Sequence, residues 1–483
     1  MSSITQSEIT TGLRGLGLGE GDIVLLHSAM SSLGDVEGGA EAVVAAFRSV
    51  LGDAGTLVVP TFGAFGAIAE AVKAHPDTVH STHPRGSVAA LGADAEALCR
   101  DHWKPPLVHG DDTPYTRIAE RGGYVCLMGV DQDRNTTLHT PEELLRAPYL
   151  KPTREFTFDT PEGPVTKHWE HFPGPHRNFI GLDPLLRGSG KMRVATIGSS
   201  VVRLIRSQDL IDIALEVGRE DMGFVLCDNP NCADCVAQWA DVRRARLGQE
   251  FFTTVASAAL AGRYVPEMIE NCHAAGIDHI ELDIVQGKPV HMLGAERLVR
   301  VIDELRGEGL AIAGLRLAVA SAKAFATLAD VAAATGVDRI VLPLSHNAEA
   351  FAQEASEAGI GVSFANVHLD SATATTVLTD LRGAGFDVGF TFSAAGFVRC
   401  GEKPFLGSYR QKLRRWIDQL DVEDVTFDGT PQPLACGNAE VKELISILRC
   451  RSFDGRMLLG AGNRPVGTLL DATTRFIELL DAM

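Results

Sequence analysis

The chain has no basic surplus. Lys plus Arg number 44 against 62 Asp plus Glu, a formal net charge of −18. Nucleic-acid binders and proteins that dock on anionic membranes usually show the reverse balance, so neither partner is expected. Long apolar runs are missing too: none reaches the roughly 18–20 residues a membrane helix needs. The start, MSSITQSEITTGLRG, lacks the charged-then-apolar order of a secretory signal. A cytoplasmic chain is expected. Cysteine is scarce, nine in 483 residues, an odd number, and Cys126, Cys272 and Cys450 sit in apolar phrases. That excludes a disulfide scaffold. Low-complexity tracts and short repeats are absent, and 45% hydrophobic residues make extensive disorder implausible. What remains is an acidic globular chain suited to solubility and to cationic partners such as amines.

Two rhythms divide it. The first half sets short apolar runs among dense Gly/Pro/His loops. Strands are predicted at Asp22–His27, Thr56–Pro60, Tyr124–Val130, Arg193–Ile197 and Phe224–Cys227, with a hairpin around Thr160–Gly163. Helices are predicted over Gly38–Val50, Val88–Arg100 and Ser207–Gly218. The second half repeats a strand phrase followed by an Ala/Leu/Glu stretch. The phrases are Phe251–Val255, Ile277–Leu282, Leu310–Val319, Val337–Pro343, Ile360–Ala365, Phe386–Phe392, Val422–Thr426 and Arg456–Leu459. Eight such units predict an α/β chain ending in a (β/α)8 barrel, with an open doubly wound sheet as the alternative. The domains are expected at 1–250 and 251–483.

Three constellations in the first half carry chemistry-bearing residues. His27, Ser28, Ala29, Met30, Ser31, Ser32 and Leu33 end the first strand just ahead of a helix. Free backbone N–H groups there can hold an anion; a serine-rich cap reads the same way. His83-Pro84-Arg85-Gly86-Ser87 leads into the next predicted helix, with Ser87 as its N-cap. The third, Asp131 to His139 with Glu142 and Glu143 after it, follows the third strand. A histidine at a strand's carboxyl end is well placed for general acid/base work, although such a residue is often structural.

In order and spacing these stretches resemble the aminoglycoside 3-N-acetyltransferase family, the antibiotic N-acetyltransferase fold. The resemblance rests on GLGLGEGDIVLLHSAMSSLGDVEGGAEAVVAAFRSVLGDAGTLVVPTF, HSTHPRGSVAALGADAEAL, LMGVDQDRNTTLH and GKMRVATIGSSVVRLIRSQDLIDIAL. It spans roughly residues 5–240. It implies an acetyl-CoA-dependent acyltransferase acting on a primary amine, with acetyl-CoA as co-substrate. His139 of NTTLH is then the base, and a downstream carboxylate orients it. Alignment of FIGLDPLL points to Asp183, with Glu142, Glu143 and Glu170 as alternatives. Backbone N–H groups of Ser28–Leu33 or the Thr137 hydroxyl stabilise the oxyanion. The His27–Leu33 segment and Ser87 hold the CoA. The chain departs from the family at Ala29 and in TPEELLRAPY after His139. The acceptor stays open between a deoxystreptamine drug, another aminosugar and a small biosynthetic amine. A homodimer stays open as well.

The second half is similar to the sugar phosphate isomerase/epimerase barrels, through GIDHIELDI, VSFANVHLD, FDVGFTFSAAGF and TPQPLACGNAEVKELISILRCRSFDGRMLLG. That family binds a divalent metal with carboxylates and histidines. Here Ala365, Ser393, Phe397 and Gly460 occupy ligand positions, and Glu281, His368 and Asp424 make no complete set. An accessory barrel without metal is expected, Asn366, His368 and Arg399 lining its mouth. A barrel that still isomerises a sugar is the alternative, and a wholly non-catalytic binding protein is a third reading. No metal ligand is assigned. The segment CDNPNCADC, with Cys227, Cys232 and Cys235, stays open between zinc with a fourth ligand from elsewhere and a reduced thiol cluster.

Overall fold

The computed structural model describes residues 3–460 and 466–483. The chain divides into Met1–Val242 and Arg243–Met483. The division falls inside the helix Ala233–Leu247, a little ahead of the composition shift near residue 250.

The strands of the first unit are β1 (Ile23–Ser28), β2 (Thr56–Pro60), β3 (Val79–His80), β4 (Val88–Gly92), β5 (Tyr124–Met128), β6 (Lys151–Pro152), β7 (Phe156–Thr160), β8 (Gly163–Lys167), β9 (Glu170–His171), β10 (Arg193–Ile197) and β11 (Ser200–Arg206). Seven of them form one sheet in the order β10-β11-β5-β1-β2-β4-β3. Its centre, β5-β1-β2, is parallel; the flanking strands run antiparallel. Central strands covered on both faces read as continuous apolar runs, as IVLL, TLVVP and YVCLM do. The helix Gly39–Leu51 lays Val43, Phe47 and Val50 on one face of the sheet. On the other, Pro114–Glu120 and Ser207–Glu220 bury Ile118, Leu210 and Ile211. Each fully buried Val, Leu or Phe side chain contributes about 1.5–3 kcal/mol.

Because β1, β2 and β5 are parallel, their carboxyl ends share one edge, where open α/β sheets bind ligands. The Ser28–Leu33 loop follows β1, and the loop to His139 follows β5. Ala29 N–H donates to Met128 C=O at 2.9 Å, so the two loops leave the sheet side by side. Gly129 permits this: its φ is +68°, and a Cβ there would run into the Ser32 side chain.

Two predictions fail in this unit. Val88–Arg100 is not one helix: Val88–Gly92 is β4, and only Ala95–Cys99 is helical. The run VAALG suits either state, and pairing against β2 decided it. Ser87 therefore caps no helix; it accepts a hydrogen bond from Thr61 Oγ1 at 3.0 Å. Phe224–Cys227 forms no strand; the segment is turn and bend and pairs with no strand. The hairpin β7–β8 forms where Thr160–Gly163 predicted it.

The second unit contains β12 (Thr253–Ser257), β13 (His279–Leu282), β14 (Ile284–Val285), β15 (Lys288–Pro289), β16 (Ala311–Arg316), β17 (Arg339–Pro343), β18 (Gly361–Ala365), β19 (Gly389–Ser393), β20 (Ile417–Val422), β21 (Asp424–Val425), β22 (Pro431–Gln432) and β23 (Arg456–Leu459). Eight of these close a barrel, β12-β13-β16-β17-β18-β19-β20-β23. Parallel pairing of β12 with β23, Thr253 opposite Arg456, excludes the open sheet. The seventh strand lies earlier than predicted, at Ile417–Val422. Gln419 and Asp421 are buried in it, and two inward polar residues hid its apolar pattern. Asp424–Val425, inside the predicted Val422–Thr426, pairs instead with Pro431–Gln432 outside the barrel. Among the described residues no helix is long and apolar enough to cross a membrane.

Candidate active site

The short helix His139–Leu144 starts at the end of the NTTLH loop. Asn135 shapes that loop by accepting the Thr137 N–H at 3.2 Å. His139 Nδ1 lies 2.9 Å from Glu142 Oε1, one helical turn on, and its side chain keeps 16% exposure. Phe172 stacks on the imidazole with centroids 3.9 Å apart, and Phe179 meets it edge-on at 4.7 Å. These contacts fix both the ring plane and the tautomer. With Nδ1–H donated to Glu142, the Nε2 lone pair is the free one; it makes no hydrogen bond among the described residues.

Glu142 is fully buried. Its Oε2 accepts from Arg177 Nε at 2.8 Å and Tyr149 Oη at 2.9 Å. Burial pushes its carboxyl above the ordinary range, and the Arg177 guanidinium opposes that. For His139, burial is the first cause, with His109 and Arg177 nearby, of a pKa well below 6.5. The imidazole is neutral at pH 7, as a base must be before it acts.

The candidate orienting carboxylates part company here. Glu142 touches His139. Glu143 accepts from His109 Nδ1 and His171 Nδ1, both at 3.1 Å, and from His109 N–H at 2.6 Å. Glu170 pairs with Arg146 on the surface. Asp183 has no hydrogen bond to His139 among the described residues: it binds Arg187 and accepts from Gln132 Nε2 at 3.2 Å. Asp183 opens the helix Asp183–Gly188, and that register points it at Arg187 one turn on.

Thr137 Oγ1, two residues before His139, is buried without a hydrogen-bond partner among the described residues. Met30–Leu33 is a single 3-10 turn. Ser32 Oγ donates to Ala29 C=O at 2.7 Å and meets Ser200 Oγ at 2.8 Å. The Met30 and Ser31 N–H groups have no partner among the described residues. His27 does not join that loop: it is buried inside β1, its Nε2 without a partner among the described residues, and burial holds its pKa down to about 4. Ser87 lies at the same sheet edge, bonded to Thr61.

Sequence reading missed a second layer. His83, His102, His109 and His171 are buried behind the site, with Trp169 against His83 at 4.4 Å. Burial is the leading cause that brings His102, His109 and His171 each down to about 3. The only local signal was histidine recurring in Pro/Gly loops. His109, Glu143 and His171 could share a metal, their ligand atoms lying within 4.8 Å, but each already hydrogen-bonds another.

The barrel mouth holds a cavity of about 960 Å³, lined by Asp283, Arg316, His368, Arg399 and Glu423 among others. Most of its candidate ligands are engaged. Arg316 grips Glu281 and, through both terminal nitrogens, Asp421 at 2.8 and 3.0 Å. Asp424 accepts the N–H groups of Val425, Gly437 and Ala439 at 2.9–3.0 Å. Asn366 clips the Ser393 backbone at 2.8 and 2.9 Å. Burial raises Asp283 to about 6 and Glu423 to about 7.

A buried carboxylate thus holds a histidine at the carboxyl edge of a parallel sheet with one ring nitrogen open, a geometry in which an imidazole can accept a proton. The profile described as aminoglycoside 3-N-acetyltransferase matches residues 25–64 and 62–218. Aminoglycoside N(3)-acetyltransferase VII of Streptomyces paromomycinus is 31% identical over 277 residues, covering 46% of this chain and 93% of that protein. Aminoglycoside N(3)-acetyltransferase IV of Salmonella sp is 29% identical over 239 residues, covering 46% and 90%. The solved apoenzyme of aminoglycoside acetyltransferase AAC(3)-IVa has 29% identity, a TM-score of 0.45, and coverage of 49% and 96%. The chain belongs to the aminoglycoside 3-N-acetyltransferase family, N-acetyltransferases whose acyl donor is acetyl-CoA.

Proposed function

We propose that the first unit transfers the acetyl group of acetyl-CoA directly to a primary amine of an aminoglycoside or related aminosugar, with His139 as general base. The observation that carries this is the His139–Glu142 pair at 2.9 Å, with Nε2 left open at the carboxyl edge of the sheet. His139 Nε2 takes a proton from the amine as its nitrogen attacks the thioester carbonyl. The tetrahedral oxyanion is met by the free Met30 and Ser31 N–H groups or by the Thr137 hydroxyl. Collapse breaks the C–S bond, and the CoA thiolate leaves, taking the proton back from the imidazolium. Glu142 rather than Asp183 orients the ring and stabilises its charged form. The test is CoA release against a panel of aminoglycosides and simple aminosugars, comparing the native chain with His139→Ala. An unchanged rate in the variant sinks the base assignment.

The barrel is proposed as an accessory binding unit rather than an isomerase. In support, Glu281 and Asp424, two of the three ligand-type residues the chain retains, are tied up by Arg316 or backbone N–H groups. A divalent cation would find too few free hard oxygens there. Acceptance of a sugar phosphate only with added Mn²⁺ or Mg²⁺ would instead favour the bifunctional reading.

A further inference from the structure

Away from the acyl-transfer site, the first unit brings four soft ligands to one point. The turn after Gly223 ends at Cys227, an Asx turn at Asn229 leads to Cys232, and Cys235 sits in the first turn of the helix Ala233–Leu247. The fourth comes from far back in the chain: His176, in the Pro/Gly loop 173–177. Its Nδ1 lies 3.3 Å from Cys235 Sγ and 3.5 Å from Cys232 Sγ. All four ligand atoms fall within 4.8 Å of one another, and no disulfide links the cysteines.

The geometry points to a structural zinc site of Cys227, Cys232, Cys235 and His176. Zn–S near 2.3 Å and Zn–N near 2.0–2.1 Å at tetrahedral angles place nitrogen and sulfur roughly 3.6 Å apart. The 3.3 and 3.5 Å separations of His176 Nδ1 from the two sulfurs match that value. Three thiolates and an imidazole are soft to borderline donors that select zinc over magnesium or calcium. The surroundings are those of a clamp. Asp234 Oδ2 accepts the His176 N–H at 3.4 Å, and Gln238 Nε2 donates to Pro173 C=O at 3.0 Å, so the loop is already docked on the helix. The local apolar cluster is small, Ala147, Tyr149, Leu226 and Cys235 at its centre, which leaves a task for a metal. Four first ligands and no open position make the site structural rather than catalytic. His176 also immediately precedes Arg177, whose guanidinium grips Glu142 behind His139.

Metal analysis of the untagged, full-length chain after dialysis tests the site without reference to activity. About one zinc per chain is expected, the stoichiometry of a closed Cys3His site. Cobalt exchanged for it should give thiolate-to-metal charge-transfer bands and the strong visible bands of tetrahedral Co²⁺. His176→Ala and Cys232→Ser should each weaken zinc retention at least about tenfold against a competing chelator, and a mercurial reagent should release the metal in step with thiol modification. Native protein without zinc, with all three thiols freely titratable or two joined in a disulfide, overturns the proposal. So does zinc that both variants retain undiminished.

Discussion

Both units bury carboxylates against cations, and they finish the arrangement differently. In the first, Glu142 takes Arg177, Tyr149 and His139, and His139 still has a free nitrogen at the sheet edge. In the barrel, Arg316 faces Glu281 and Asp421, and Gln419 donates to both carboxylates at 3.1 Å. There the charges satisfy one another. A closed network of this kind specifies a core, whereas a network with one unspent lone pair can do chemistry. Counting ionisable groups would rank the barrel mouth as high as the His139 site; within these two networks, the open ring nitrogen of His139 is what separates them.

The strongest way to break this contrast is His139→Ala. The expected loss in kcat is about 10²–10⁴-fold, the usual worth of a general base, with acetyl-CoA binding by calorimetry largely retained. Comparable loss of binding would make His139 a structural residue instead. Next, Arg316→Met should cost about 3–5 kcal/mol of stability by stranding two buried carboxylates. Denaturant unfolding of the full chain reads this, and a change below about 0.5 kcal/mol would mean the barrel network is not closed.

A smaller effect separates the two carboxylates in question. Glu142→Gln should lower kcat at least about tenfold, and Asp183→Asn less than about twofold, both variants checked for intact folding. The reverse ranking would return the orienting role to Asp183. Smaller still, per group, is the response to acid. His27, His102, His109 and His171 titrate near 3–4 when folded and near 6.5 when unfolded. Their folded pKa values are depressed, so the unfolded state binds more protons between these limits, and stability falls as pH drops below 6.5. The cost is about 1.4 kcal/mol per histidine per pH unit; raised carboxyls such as Glu142 and Glu143 work the other way. Hydrogen exchange of the full chain at pH 7.0 and 5.5 should show protection lost around residues 83–109 and 171 before the barrel strands. Uniform loss would contradict the placement of the buried imidazoles in one unit.

Much of this was legible in the sequence. Apolar runs at β1, β2 and β5 and the alternating β/α phrases are local signals carried by hydrophobic periodicity, whereas the NTTLH loop stood out only through its resemblance to a family motif. Reading failed where one segment suits two states, as in VAALG, or where polar residues face inward, as Gln419 and Asp421 do. Composition and pattern determined an acidic, two-part α/β chain with a histidine in the loop after its third predicted strand. Only the tertiary structure decided which carboxylate meets His139, that His109 and His171 share Glu143, and that His176 completes the cysteine triplet. The reason is distance along the chain. His176 lies 56 residues from Cys232, and His109 lies 34 from Glu143. A sequence states what each side chain can do, but folding alone brings such residues within bonding reach.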